Sequence, residues 1–382
     1  MKKDNDMVIT VLRGPDRVRK RPCVMFGSDG ADGCLEAVSY IVDNAGVEAA
    51  LGYGDVIKVT RYEDDSYEIT DRGRGIPVEE YNADEKKYFW ELNFCELFAD
   101  SMYNNSTGEK GIGLCGVQYA SEYMDACIFR ARKKYTLHFE KGVNIGGLKA
   151  EEADGTMQGT SLKFKLDREV FADISVTHDM LGNMLRCYAI SNFGIRYELE
   201  YKDHCETVKT VYCYKNLSDR FRELDKNSDI PLYEFTCPFS GVKNGRGYSG
   251  NVRICIGFTK HGKFAEIYHH SSYKTKCRIA FQELETIVAV QIKAFLKELG
   301  YPINDSNTAA VADSIGIIVR TEISPGIFSR YDTALKAEII NRDFSDAVRN
   351  ASEPFVRKML EENVCLIGSI LEKGVSAKNN NV

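Results

Sequence analysis

Apolar residues recur at helical spacing over Leu35–Leu51 (LEAVSYIVDNAGVEAAL), which predicts an amphipathic helix with an acid and an amide, Asp43 and Asn44, in its middle. Asp55–Tyr62 and Ser66–Thr70 alternate as two strands of a hairpin turning at Glu63-Asp64-Asp65. Tyr67–Pro77 (YEITDRGRGIP) then runs from a short apolar strand into an Asp and a Gly-Arg-Gly turn. Glu91–Met102 reads as a helix. Asn104–Gly116 (NNSTGEKGIGLCG) is too polar for a regular element and reads as a flexible loop opening a helix at about Leu114. Strands follow at Ala126–Ala131, Tyr135–Phe139 and Ser161–Lys165, then a helix at His178–Ser191 and a strand at Ile195–Tyr201. This is one domain, a mostly antiparallel sheet with helices on one face, ending near residue 215.

The second half has its own pattern. A helix is predicted at Leu217–Asp225 and strands at Tyr233–Cys237, Asn251–Phe258 and Phe264–His269. A long helix runs over Arg278–Leu299 and stops at Gly300, before Pro302. Ser314–Glu322 (SIGIIVRTE) is a strand of buried type, and helices occupy Thr333–Asn341 and Asp343–Leu371. The expected organisation is an arm at 1–15, a first domain at 16–215, a second at 216–372 and a disordered polar tail at 373–382.

Composition changes this picture little. The 382 residues suffice for two or three domains at roughly 150 residues each, and 43% hydrophobic with 28% charged residues is ordinary for a soluble globular chain. The net charge of −6 gives no global attraction to nucleic acid, so any such contact needs a local basic patch. No apolar run is long enough to span a membrane, and the first residues lack the apolar core of a signal peptide. Twelve scattered cysteines without a CxxC pair read as free thiols, so a cytoplasmic location is expected. Asp16–Arg21 holds four basic residues before Pro22, either a solvated helix face or an anion contact.

Candidate chemistry lies in the first domain. Asp71 at a strand end can accept a hydrogen bond from an exocyclic amine, and Gly73 and Gly75 let backbone approach a flat ring. Alone, such a DxGxG also fits a plain tight turn. Asn44 suits Mg²⁺ or phosphate oxygens, and Glu48, one turn later, can pair with Arg74. Gly108–Gly116 leads into a helix N-terminus as a phosphate nest would, although it matches neither GxxxxGK[ST] nor GxGxxG.

These pieces, in this order, resemble the ATPase region of the B subunits of type IIA DNA topoisomerases, those of gyrase and topoisomerase IV, within the GHKL superfamily. The resemblance rests on Val18-Arg19-Lys20-Arg21-Pro22, Val42-Asp43-Asn44-Ala45 with Glu48-Ala49, Asp71-Arg72-Gly73-Arg74-Gly75-Ile76-Pro77, Gly113-Leu114-Cys115-Gly116-Val117 and Gly159-Thr160. It implies an α+β chain, a Bergerat-type α/β sandwich binding ATP, followed by a transducer domain of the ribosomal-S5-like βαβ class. Asp71 would bind the adenine amino group with help from Thr160. Asn44 would hold Mg²⁺, and Gly75, Ile76 and Pro77 would wall the base. Arg74 would pair with Glu48, and Gly111, Gly113, Leu114, Gly116 and Val117 would form a lid over the phosphates. ATP would close two copies into a homodimer, with the N-terminal arm of each reaching its neighbour.

The departures from the family pattern carry as much weight. The family's catalytic glutamate sits four residues before the Mg²⁺ asparagine, and that position is Tyr40 here. A phenol with a pKa near ~10 is a poor base at neutral pH. The transducer lysine is absent: Phe328-Ser329-Arg330 is followed by Tyr331-Asp332-Thr333, with Thr333 at its position and neither Arg330 nor Lys336 in register. The lid's histidine and final glycine have become Cys115 and Gln118, and a basic residue near Met102 is missing. Loss of a general base costs ~10²–10⁴ in rate. Glu36, one turn before Tyr40, is the alternative base, against the plain reading of a helix-N-terminal acid. Neither an acidic DxD cluster nor an EGDSA-like run is present, so strand passage by this chain alone is not expected. The resulting expectation is a nucleotide-gated clamp. The alternatives are an ATPase using Glu36, or an interaction protein that modulates a topoisomerase subunit without nucleotide. Lys141, Lys149, Lys274, Lys276 and Arg278 are candidate contacts to DNA.

Overall fold

The computed structural model describes residues 12, 14–97, 113–226, 229–243, 246–269, 278–323, 348–349 and 351–379. They form two compact units, one from residues up to Tyr212 and one from Cys213 onward that also takes in Cys187–Gly194.

The first unit opens with two short helices, α1 (Asp16–Arg19) and α2 (Pro22–Phe26, with Pro22 in the first turn where its missing N–H costs nothing). The long helix α3 (Ala31–Ala50) follows, then the hairpin β1 (Val56–Arg61) and β2 (Ser66–Asp71). A small hairpin, β3 (Tyr81–Asn82) and β4 (Lys87–Tyr88), leads into α4 (Phe89–Cys95), and α5 spans Gly113–Tyr119. The strands β5 (Ser121–Arg130), β6 (Lys133–Glu140), β7 (Val143–Asn144), β8 (Lys149–Glu152) and β9 (Gly159–Leu166) precede α6 (His178–Ser191), β10 (Arg196–Lys202) and β11 (Thr207–Tyr212).

Nine strands make one sheet in the order β11-β10-β1-β2-β9-β5-β6-β7, with β8 also paired to β6. All its pairings are antiparallel except β1 with β10. Period-two alternation puts Ile57, Val59, Tyr67, Ile69, Leu162 and Phe164 on one buried face. There α3 lies across β1, β2 and β9, burying Leu35, Val38, Ile41, Val42 and Ala45.

The second unit begins with α7 (Leu217–Leu224), capped by Asn216, whose side chain accepts from Asp219 N at 2.9 Å. The strands β12 (Leu232–Lys243), β13 (Arg246–Phe258), β14 (Phe264–His269) and β15 (Ile315–Ile323) form a sheet in the order β12-β13-β15-β14. The parallel β14/β15 pair is joined through α8 (Arg278–Glu298) and α9 (Asp305–Ala312), a βαβ crossover. Its core brings Ile254, Ile256, Leu284, Ile292, Ile317 and Val319 together with Met359, Leu360 and Ile367. Residues 351–362 are helical, and α10 runs Val364–Asn379.

The structure departs from the sequence pattern at several places. Helix α3 starts at Ala31, four residues before its first strongly periodic position, and its first turn packs so closely that a Cβ on Gly33 would lie 2.0 Å from Ser28 O. The β12/β13 hairpin is longer than its apolar runs. Strand β11 shows no apolar alternation because it is a sheet edge with only Tyr212 buried. Helix α9 has a loop-like composition and is set by its Asn304 cap, which accepts from Asn307 N at 2.7 Å. Helical residues continue to Asn379, into the segment whose composition reads as a polar tail. The helix expected at Thr333–Asn341 lies outside the described residues.

Candidate functional site

Helix α3 presents Tyr40, Asn44 and Glu48 at successive turns, and β2 ends at Asp71. The loop after Asp71 is fastened back onto α3. Glu48 accepts from Arg74 three times, from the backbone N at 3.0 Å, from Nε at 3.0 Å and from Nη2 at 2.8 Å. The guanidinium also lies over the Tyr53 ring, 4.2 Å from its centroid. Burial pushes the Glu48 carboxyl up, but the Arg74 hydrogen bonds and charge outweigh it and hold the group below the ordinary range.

Asp71 Oδ1 accepts from Gly73 N at 2.7 Å, an Asx turn. Glycine is required here by close approach: a Cβ on Gly73 would lie 2.9 Å from both Asp71 Oδ1 and Glu48 Cβ. Burial raises the Asp71 carboxyl to about 6, and the nearby Glu48 charge adds to this, against hydrogen bonds from the backbone N–H groups of Gly73 and Thr160. Thr160 is itself buried on β9 beside this strand end. Gly75 adopts φ +77° and passes so near β5 that a Cβ would meet Phe129 O at 2.7 Å. Arg130 braces this stretch, with Nη1 donating to Gly75 O at 3.3 Å and Nη2 to Glu80 Oε1 at 2.9 Å. Ile76 is half-buried, Pro77 is buried, and Val78 N returns to Ile76 O at 2.8 Å.

Asn44 is exposed on α3. Among the described residues no group of three or more His, Cys, Asp or Glu is placed to hold a metal. A Mg²⁺ at Asn44 therefore needs oxygens from a ligand, which suits an ion that arrives with phosphates. The site thus brings together a half-buried carboxylate able to accept from an amino group, a glycine cradle, a braced loop and an exposed amide.

Tyr40 is buried at 4% exposure. Its hydroxyl donates to Met25 O at 3.0 Å, and its ring packs on Phe26 with centroids 5.9 Å apart. Gly113, the first residue of α5, rests against it: a Cβ there would lie 3.2 Å from Tyr40 Cβ. Leu114, Gly116 and Val117 follow on α5, all buried, together with Cys115. Glu36 is half-buried one turn before Tyr40. Gln118 is 1% exposed, and among the described residues neither of its side-chain polar atoms has a hydrogen-bond partner. Gly111 and the arm at 1–11 lie outside the described residues, as do Thr333, Arg330, Lys336, Lys274 and Lys276.

The remaining candidates are dispersed. Arg19 pairs with Asp167 at 2.6 Å, and Lys141 with Glu169 at 2.8 Å. Lys149 is exposed on β8, and Arg278 opens α8 in the other unit. Two contributors escaped sequence reasoning. Tyr53 follows the end of α3, where no period marks it, and Arg130 reaches the loop only through the β5/β9/β2 pairings.

No protein-family model matches the chain. It is 34% identical over 206 residues to the DNA gyrase B protein of Thermotoga maritima, covering 52% of this chain and 32% of that protein. To the DNA topoisomerase 4 B protein of Rickettsia conorii it is 32% identical over 170 residues, 43% of this chain and 26% of the relative. The match to the DNA gyrase B protein of Archaeoglobus fulgidus runs over 391 residues at 25% identity, 97% of this chain and 58% of that protein. The chain thus spans less than two thirds of the length of these relatives. Among solved structures, the 43K ATPase domain of Thermus thermophilus gyrase B, in complex with an aminocoumarin, superposes with a TM-score of 0.64 at 22% identity. The match covers 95% of this chain and 94% of that domain. The fold is therefore α+β, a Bergerat-type layer followed by a transducer-like βαβ unit.

Proposed function

We propose that this chain, a divergent homologue of the ATPase region of the type IIA DNA topoisomerase B proteins, binds ATP with Mg²⁺ and works as a nucleotide-gated dimerisation clamp whose hydrolysis is weak or absent. The observation that carries this reading is Tyr40. Its phenol is buried and commits its proton to Met25 O, so it offers no basic group to a water at the γ-phosphate.

The rest of the pocket keeps binding chemistry. Asp71, with Thr160 beside it, would accept from the adenine amino group, and Gly75, Ile76 and Pro77 would wall the base. Arg74, pinned by Glu48, would border the ring. Asn44 would hold Mg²⁺, which supplies neutralisation of phosphate charge. Gly111, Gly113, Leu114, Gly116 and Val117 would cover the phosphates with backbone N–H groups. Nucleotide then acts by favouring one of two lid states, and the partner is a second copy of this chain. DNA or a topoisomerase subunit is the downstream contact this reading leaves for the dimer.

The test is calorimetric binding of ATP and ADP with and without Mg²⁺, followed by phosphate release and sedimentation. Binding, ATP-dependent dimerisation and negligible phosphate release are expected. Brisk turnover abolished by Asn44→Ala would reject the clamp. Absence of any nucleotide binding would favour a nucleotide-independent interaction protein.

A further inference from the structure

On the outer face of the large sheet, opposite the face covered by α3, a cleft of about 310 Å³ lies between β5–β6 and the β7–β8 excursion. Strand register builds it. Asp125 pairs with His138, Cys127 with Thr136, and Thr136 in turn with Lys149. Lys134 lies two residues before Thr136 on the same face of β6. Ile145 and Gly147 supply the overhanging wall.

That wall is a built feature. Ile145 N and Asn144 Nδ2 both donate to His138 O, at 2.8 Å and 3.1 Å, and Gly147 N donates to Asn144 Oδ1 at 2.9 Å. Gly146 and Gly147, with φ +87° and +69°, make the turn. The overhang is thus tied to the backbone of a residue whose side chain lines the cleft.

The charges in the cleft do not cancel locally. His138 sits between Asp125, 2.7 Å from Nδ1, and Glu140, 3.3 Å from Nε2. The Asp125 hydrogen bond leads in raising the imidazole above its ordinary value, which favours the charged ring beside the carboxylate that lines the cleft. Among the described residues Lys134 has one ion-pair partner, Glu151, at 3.9 Å, a distance beyond direct hydrogen bonding. Lys149 has no carboxylate at ion-pair distance among the described residues. Lys134, loosely paired with Glu151, together with Lys149 and Thr136, therefore lines a half-open cleft whose lining carboxylate is Asp125.

We propose that this cleft binds a small anion, a compact molecule carrying a carboxylate or phosphate group, held by Lys134 and Lys149 with Thr136 as the neutral donor. Its volume is at the lower end of ligand sites, which suits a small metabolite.

The test uses the full chain and two probes, inorganic phosphate and citrate, in calorimetry at neutral pH. Saturable binding of at least one is expected, and which probe binds identifies the anionic group. Lys134→Ala with Lys149→Ala should weaken it at least tenfold, and Lys149→Glu should do so alone; both leave the thermal transition in place because neither lysine is buried. Asn44→Ala, at the nucleotide site, should not change it. Affinity should fall as pH rises past the range where His138 is charged. Failure of both probes to saturate overturns the proposal. So does binding that survives the double variant, binding that disappears with Asn44→Ala, or lysine variants that lose only duplex DNA.

Discussion

The Tyr40 hydroxyl donates to the carbonyl of Met25 at 3.0 Å, which ties the middle of α3 to the last turn of α2. The position reads as the site of a general base, and here it is a strut. Tyr40→Phe removes the hydrogen bond and leaves the carbonyl unanswered, for a cost of about 1 kcal/mol. Nucleotide affinity and phosphate release should stay as in the parent chain. Measuring Tm and phosphate release together checks this; a fall in turnover would show that the phenol takes part in chemistry. The companion variant is Glu36→Ala. If Glu36 had taken over as base, it alone would abolish turnover, and on the clamp reading it changes nothing.

Glu48 and Arg74 form the fastening of the loop after Asp71, and Tyr53 supports the guanidinium from below. Glu48→Ala removes three hydrogen bonds and should cost roughly 1.5–3 kcal/mol along with at least tenfold in nucleotide affinity. Arg74→Lys should behave nearly as badly, since an ammonium cannot reproduce the two-nitrogen fork. Tyr53→Ala should cost only about 0.5–1 kcal/mol, the worth of an exposed cation–π contact, and Tyr53→Phe should restore it. Urea melts of the four variants order these effects; equal losses for Tyr53→Ala and Glu48→Ala would contradict the assignment.

Much of this was legible in the sequence. The α3 amphipathic stripe, the β1/β2 hairpin and the Asp71-to-Pro77 turn are strong local signals, because each depends on residues a few positions apart. The span of α6, His178–Ser191, follows from the same cause. What escaped depends on distant partners. Strand β11 is ordered by β10 and not by its own pattern, and Arg130 meets Gly75 across 55 residues of chain. The role of Tyr40 lay between these cases. Its oddness was visible in sequence, but the acceptor of its proton, Met25 O, is a backbone atom that no side-chain pattern marks.

Asp71 and Glu48 titrate in opposite senses. The Asp71 carboxyl is raised to about 6 by burial, so the folded state binds its proton more tightly than the unfolded chain does. Its contribution to stability is therefore greatest below the ordinary carboxylate range and declines as pH climbs toward 6. Glu48 is held low, and its contribution is present above the ordinary range and lost as pH falls through its folded value. On the proposed reading nucleotide binding would follow Asp71, because the charged carboxylate accepts from an amino group more strongly than the neutral acid does. Affinity should hold constant above pH 7 and fall below about 6, by at most about tenfold per unit. A calorimetric series from pH 5 to 8 checks it, and Asp71→Asn should abolish the dependence. A flat profile in the parent chain would remove Asp71 from the binding role.

Gln118 is the clearest local conflict in the first unit. It is 1% exposed on α5, where every neighbouring residue from Leu114 to Ala120 is buried, and its amide oxygen and nitrogen both lack partners among the described residues. An unpaired buried polar group costs about 1–3 kcal/mol, whereas an apolar group of similar shape carries no such penalty. Gln118→Leu should therefore stabilise the chain, raising Tm by roughly 2–4 °C for each kcal/mol recovered. Gln118→Gly should not match it, because it opens a cavity and adds about 1 kcal/mol of helix penalty. Differential scanning calorimetry of the two variants separates the outcomes. If Gln118→Leu lowers Tm, the amide has a partner in solution and α5 sits differently around it.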